Sequence, residues 1–189
     1  MKSGARALGI AESFATDDER SVFCGAVVRA DRVVDGVGFG SCAVGGTDAT
    51  DAATTLYQEL GRDDARWILL SGIAPAWFNL VDLRALSAAT DRPVLSVSFE
   101  SSPGLEPALR EAFTGAALDR RLSTYRSQPP RRRLEVNGET VYVRAVGVND
   151  DRATELVRAF TPEGGRPEPL RVARLGARAA RRFRRDGEA

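Results

Sequence analysis

The chemistry open to this chain is set first by what it lacks. Its 189 residues contain no histidine, and the only cysteines are Cys24 and Cys42, both in stretches that read as strand interiors. Zinc sites of the Cys/His type, Ser-His-Asp triads, Cys-His nucleophiles and histidine general bases are therefore excluded. What remains is chemistry by carboxylates, hydroxyls, Lys2, arginine, tyrosine or a metal held by oxygen. Glu12 stands out among the acids, because a charge between Ile10 and Phe14 in an apolar strand needs a partner or a wet cleft. Asp48, Asp51 and Asp82 lie where strands give way to helices. They read equally as helix-start carboxylates, with Asp82 three residues after Asn79.

Two further groups suggest a polyanionic partner. Gly72-Ile-Ala-Pro-Ala-Trp-Phe-Asn79 sets Trp77, Phe78 and Asn79 in a loop after a buried apolar run, where α/β sheets bind ligands. The aromatics there could stack on a base or plug the loop from beneath. Near the carboxyl end, Arg171, Arg174, Arg178, Arg181 and Arg185 share one helical face, with Leu170, Ala173, Ala177 and Ala180 beside them. Such a stripe neutralises phosphates or forms a solvated face paired with acids. Arg131-Arg132-Arg133 adds a second cluster. Net charge is only +1, yet residues 1–100 carry 9 basic and 14 acidic side chains against 18 and 12 in the remainder. Positive charge thus gathers towards the carboxyl end. Gly36, Gly38 and Gly40 lack the strand-to-helix setting of a phosphate loop and read as strand glycines. The sequence shows neither an apolar span long enough for a bilayer nor a secretory leader, which gives a cytoplasmic expectation with no membrane partner.

These residues must be positioned by the elements around them. Residues 5–14, 21–30 and 33–44 read as three antiparallel strands in a meander, and 48–60 as a helix closed by Gly61. Trp67–Leu70 is a doubly buried parallel strand, a helix starts near Asn79 and runs to Thr90, and Pro93–Phe99 is a further strand. This βββ-α-β-α-β order is the arrangement of the ribonuclease-H-like fold. A helix at 106–113, a linker near Gln128-Pro129-Pro130, a hairpin at Asn137-Gly138 and two more helices follow. The expectation is an α/β chain with a mixed sheet of about five strands, a single domain over 1–189 in which 128–189 elaborates the core.

Four segments together resemble a known family: Leu8–Phe14 (LGIAESF), Val44–Thr50 (VGGTDAT), Leu70–Asp82 (LSGIAPAWFNLVD) and Gly165–Arg174 (GRPEPLRVAR). The chain is similar to the archaeal domain of unknown function number ninety-nine, the endonuclease-dU-like family, related to endonuclease V. That resemblance implies a ribonuclease-H-like (endonuclease V-like) fold and a nuclease using Mg²⁺ or Mn²⁺ on DNA with a deaminated or altered base. It also implies an acidic pair where Ala11-Glu12 stands, acids at the positions of Gly45 and Ser71, and a histidine at Arg174. Glu12, Asp48 and Asp82 are present, and the three other acids are not, so the usual two-metal centre cannot be assembled.

Two readings follow. In one, a nuclease works through a rearranged site, with Glu12 and Asp48 as metal ligands and Asp82 assisting, while Arg166, Arg171 and Arg174 contact phosphates. In the other, a catalytically inactive nucleic-acid-binding module, on DNA more than RNA, reads a base through Trp77, Phe78, Asn79 and the arginines.

Overall fold

The computed structural model describes residues 1–187, so residues 188–189 of the expected domain lie outside the described residues. The meander is present as β1 (Arg6–Ser13), β2 (Val22–Arg29) and β3 (Val34–Gly40), paired antiparallel. It is followed by α1 (Ala49–Leu60), which stops at Gly61 in the left-handed region at φ 57°, a conformation that glycine adopts without Cβ strain. β4 (Ala65–Ser71) pairs parallel to β1, and β5 (Val94–Ser98) parallel to β4. Alternation along these strands sends Leu8, Ile10, Ile68 and Leu70 into a core with α1 and the helix α3 (Leu83–Thr90), and Ala7, Leu69, Leu95 and Val97 to the opposite face.

Between β4 and α3 the chain makes a single turn, α2 (Pro75–Phe78), in which Ala76, Trp77 and Phe78 take φ of 45°, 54° and 62°. The expected helix from Asn79 therefore starts four residues later, at Leu83. Left-handed backbone cannot propagate a right-handed helix, and Asp82 caps the new start by accepting from Arg84 N and Ala85 N.

The sheet has seven strands, in the order β3-β2-β1-β4-β5-β7-β6, where about five were expected. The additional two are the hairpin β6 (Arg132–Val136) and β7 (Glu139–Val146), whose second strand pairs antiparallel with β5 and extends the sheet. Before it come α4 (Glu106–Ala112) and a helix not anticipated from sequence, α5 (Gly115–Arg126), which is polar throughout except at its few inward positions. After the hairpin, α6 (Asp150–Ala159) packs over β7, and α7 (Glu168–Gly187) lies across β1 and β2 through Leu170, Ala173 and Ala177. Among the described residues no helix is long and apolar enough to cross a membrane.

Candidate nucleic-acid interface

The carboxyl ends of the parallel strands β1, β4 and β5 open into a cleft, and strand alternation gives it two sides. On the α1/α3 side Glu12 lines a cavity of about 250 Å³ with Ser71, Ser96, Ser98, Tyr125, Arg131 and Arg144. Arg131 stacks over Tyr142 at 3.9 Å and donates to Ser98 Oγ at 3.1 Å and to the Glu100 and Ser102 carbonyls. Arg144 donates to the Pro129 carbonyl and faces the Tyr125 ring. Neither guanidinium has a carboxylate partner among the described residues, so the cavity is rich in donors.

Two acids line this cavity, Glu100 and, at the end of β1, Glu12. One carboxyl oxygen of Glu12, Oε2, is buried without a hydrogen-bond partner. Burial pushes its carboxyl above the ordinary glutamate range, against the smaller opposing effects of the Ala76 backbone N–H and the charge of Arg174. A glutamate raised in this way binds more protons folded than unfolded between its ordinary value and the raised one, so it makes the fold less stable as pH rises through that window. Glu12→Gln should therefore raise the melting temperature at pH 7 by a few degrees, at roughly 2–4 °C per kcal/mol for a chain of this size. The gain should shrink as the pH approaches 4, and a calorimetric series across that range checks it. A gain that grew towards acid would refute the burial argument.

Asp48 and Asp82 do not join Glu12 in a ligand set. Asp48 stands at the start of α1 but makes no cap bond to that helix. Its oxygens instead accept from Ala43 N at 3.0 and 3.2 Å and from Asn79 Nδ2 at 2.6 Å, with Arg20 at 3.8 Å. Asp82 holds α3 as described. Among the described residues no group of three or more His, Cys, Asp or Glu side chains is arranged to hold a metal ion. The donor set at the strand ends thus does not fit Mg²⁺ or Mn²⁺, hard cations that need several oxygen ligands. The positions of the absent acids are occupied for packing reasons. Ala11 is buried with Ala26 and Ala173. Gly45 sits at φ 68°, and a Cβ there would come within 2.7 Å of the Trp77 ring.

The three residues proposed to read a base separate by environment. Asn79 is 0 % exposed, and its side chain accepts from Ala49 N and donates to Ala43 O and Asp48. Phe78 packs edge-on against Phe113, and Trp77 contacts the same ring at 5.2 Å yet stays 49 % exposed. Sequence reading missed the residue that organises them. Arg121, only 5 % exposed, stacks on Phe113 at 3.8 Å and donates to the carbonyls of Phe78, Gly45 and Gly46. Nothing local in the polar sequence of α5 distinguishes it from Arg120. Both cysteine thiols are pushed up to about 11 by burial and are not nucleophiles at neutral pH.

On the α7 side the basic stripe divides. Arg171 forks onto Glu168 at 2.5 and 2.7 Å, which holds that carboxyl below its ordinary range, and Arg181 pairs with Asp18 at 2.6 Å. Arg174 and Arg178 have no such partner among the described residues. Arg166, just before α7, stacks on Phe99 at 3.7 Å with Nη1 buried and without an acceptor.

A mixed seven-stranded sheet flanked by helices, with its parallel strands ending in this cleft, is an α/β fold of the kind seen in endonuclease V. The fold is similar to that of Ciona intestinalis endonuclease V in complex with a 24mer DNA containing an inosine followed by a ribo-adenosine, with a TM-score of 0.65, 12 % identity, and coverage of 95 % of this chain and 87 % of that one. More narrowly, the chain belongs to the Endonuclease dU family, whose model matches residues 3–181. It is 37 % identical over 177 residues to a UPF0215 protein of Pyrobaculum aerophilum, covering 93 % of this chain and 94 % of that protein. The crystal structure of a protein of unknown function from Archaeoglobus fulgidus is similar with a TM-score of 0.81 at 28 % identity, over 93 % of this chain and 97 % of that one.

Proposed function

We propose that this chain binds DNA bearing a deaminated or otherwise altered base and reads that base in the cleft without cutting the strand through a divalent-metal centre. The observation that carries this reading is the composition of the cavity: two carboxylates, Glu12 and Glu100, amid hydroxyls and guanidiniums, with no third acid grouped with them among the described residues and Asp48 and Asp82 engaged elsewhere. The cavity of about 250 Å³ suits an unstacked base, with Glu12, Ser96 and Ser98 offering hydrogen bonds and Arg131 a cationic wall. The exposed face of Trp77, in the turn that follows β4, supplies a stacking surface. The DNA held by endonuclease V in the same fold class supports nucleic acid as the partner. So does the excess of basic side chains after residue 100.

A second reading has one feature in its favour, the buried and unpartnered Oε2 of Glu12, which leaves a carboxylate free for metal or water in a nuclease with a rearranged site. The test is incubation of end-labelled oligonucleotides carrying one deoxyuridine or one deoxyinosine with the natural protein and with Glu12→Gln, in Mg²⁺ or Mn²⁺, scored for both cleavage and retention. The binding reading expects intact strands and a complex that weakens steeply with salt. Strand scission by the natural protein, lost in Glu12→Gln, would establish the rearranged nuclease instead.

A further inference from the structure

The division of the α7 arginines points beyond general attraction to phosphate. Helical spacing puts Arg174 and Arg178 one turn apart, while Leu170, Ala173 and Ala177 fasten that helix to β1 and β2. Arg166 is brought alongside by the Gly165-Arg166-Pro167 corner and held by the Phe99 ring at 3.7 Å. The three are mutual electrostatic neighbours: Arg174 and Arg178 both act, after burial itself, to disfavour charge on Arg166. No carboxylate among the described residues forms an ion pair with them. Glu168 is taken by Arg171, while Glu139 and Glu163, which share the adjacent hollow, lie outside ion-pair distance of Arg166. Glu12, on the other face of β1 from Ala11, feels the charge of Arg174 but forms no ion pair with it. A fold that gathers three guanidiniums with one N–H group buried and unanswered is arranged for an anion, and guanidinium forks match phosphodiester oxygens.

Resting on the DNA-binding reading, we propose that Arg166, Arg174 and Arg178 form a metal-independent track for the phosphodiester backbone of the bound strand, so that protein cations supply the charge for which the family resemblance calls on Mg²⁺ or Mn²⁺. Arg171 and Arg181, already paired, stand outside the track.

Fluorescence anisotropy with a labelled duplex carrying one deoxyuridine, over a KCl series in EDTA and again in Mg²⁺ at matched ionic strength, tests this. Affinity in EDTA should lie within about twofold of that in Mg²⁺, since no bound metal is part of the contact. Arg174→Ala and Arg178→Ala should each lower the magnitude of the salt slope by about 0.9, one neutralised phosphate apiece. Arg174→Lys should retain the slope, and Arg66→Ala, which removes the same charge from the opposite end of β4, should leave it unchanged. Melting temperatures of the α7 variants should match the natural protein because no intramolecular bond is lost, which separates weakened binding from unfolding. Binding that disappears in EDTA, or slopes in the α7 variants equal to that of Arg66→Ala, would overturn the track while leaving the DNA-binding reading intact. Absence of binding under every condition would overturn that reading and the track together.

Discussion

Gly9→Ala is expected to destabilise the fold by about 3 kcal/mol, the upper part of the range for forcing extra volume into a packed interior. That is a fall in melting temperature of roughly 6–12 °C for a chain of this length. The cause is a backbone-to-backbone approach. A Cβ on Gly9, in the middle of β1, would fall inside the carbonyl carbon and oxygen of Pro169 at the start of α7. A flexible side chain could swing aside, but a peptide carbonyl cannot, so α7 must lift from the sheet. Lifting it loosens the Ala11–Ala26–Val28–Ala173 contact and carries Arg174 away from the end of β1. DNA affinity should therefore fall even at temperatures where the variant remains folded. Gly4→Ala, where an added Cβ meets nothing within 4 Å, is the matched control and should be neutral. Thermal denaturation followed by circular dichroism measures both, and a Gly9→Ala protein that melts with the natural one would refute the close approach.

The parts of this fold that are legible in the sequence are those whose signal is local. The meander, α1 with Gly61 after it, and the apolar runs of β4 and β5 carry their own periodicity, and the observed elements begin and end within a few residues of the expected ones. The union of the hairpin with the sheet is not local. β7 pairs with β5 at sequence separations of 44 to 52 residues, from Ser98 opposite Tyr142 to Val94 opposite Val146, and no pattern in either segment names the other. The left-handed turn at Ala76–Phe78 is equally hidden, since none of those residues is glycine. It is held by distant partners, Arg121 donating to the Phe78 carbonyl and Gly45 N to that of Ala76. In the site, the pairing of Arg171 with Glu168 is readable as an i,i+3 spacing, whereas the freedom of Arg174 and Arg178 emerges only once the sheet has placed every acid. The isolation of Glu12 has the same origin. Its strand setting is visible, but the commitment of Asp48 to Ala43 and Asn79 depends on three segments meeting.

Asn79→Ala should be the other most damaging single change, costing about 3–5 kcal/mol. Its side chain joins three segments: it accepts from Ala49 N at 2.9 Å and donates to Ala43 O at 2.8 Å and to Asp48 Oδ1 at 2.6 Å. Truncation leaves the buried Ala49 N–H unanswered, costing about 1–3 kcal/mol, takes one of two donors from the Ala43 carbonyl, which keeps Gly46 N, and removes a charge-assisted bond to Asp48 worth about 1.5–3 kcal/mol. Asn79→Asp sharpens the test because shape and the acceptor for Ala49 N are kept. It sets a second carboxylate against that of Asp48, and two carboxylates that close cannot both ionise without repulsion. One of them should then titrate above its ordinary range in the folded state only. Stability of Asn79→Asp should therefore improve as pH falls through that raised value, relative to the natural protein, and worsen towards neutral pH. Denaturant titrations at pH 5 and pH 7 give the sign directly. The same experiment separates the two roles open to this asparagine. A structural tie predicts that affinity for deoxyuridine-containing DNA falls only in step with loss of fold. An Asn79→Ala protein of natural stability that no longer distinguished deoxyuridine from thymidine would mean that the amide leaves its buried bonds to read the base.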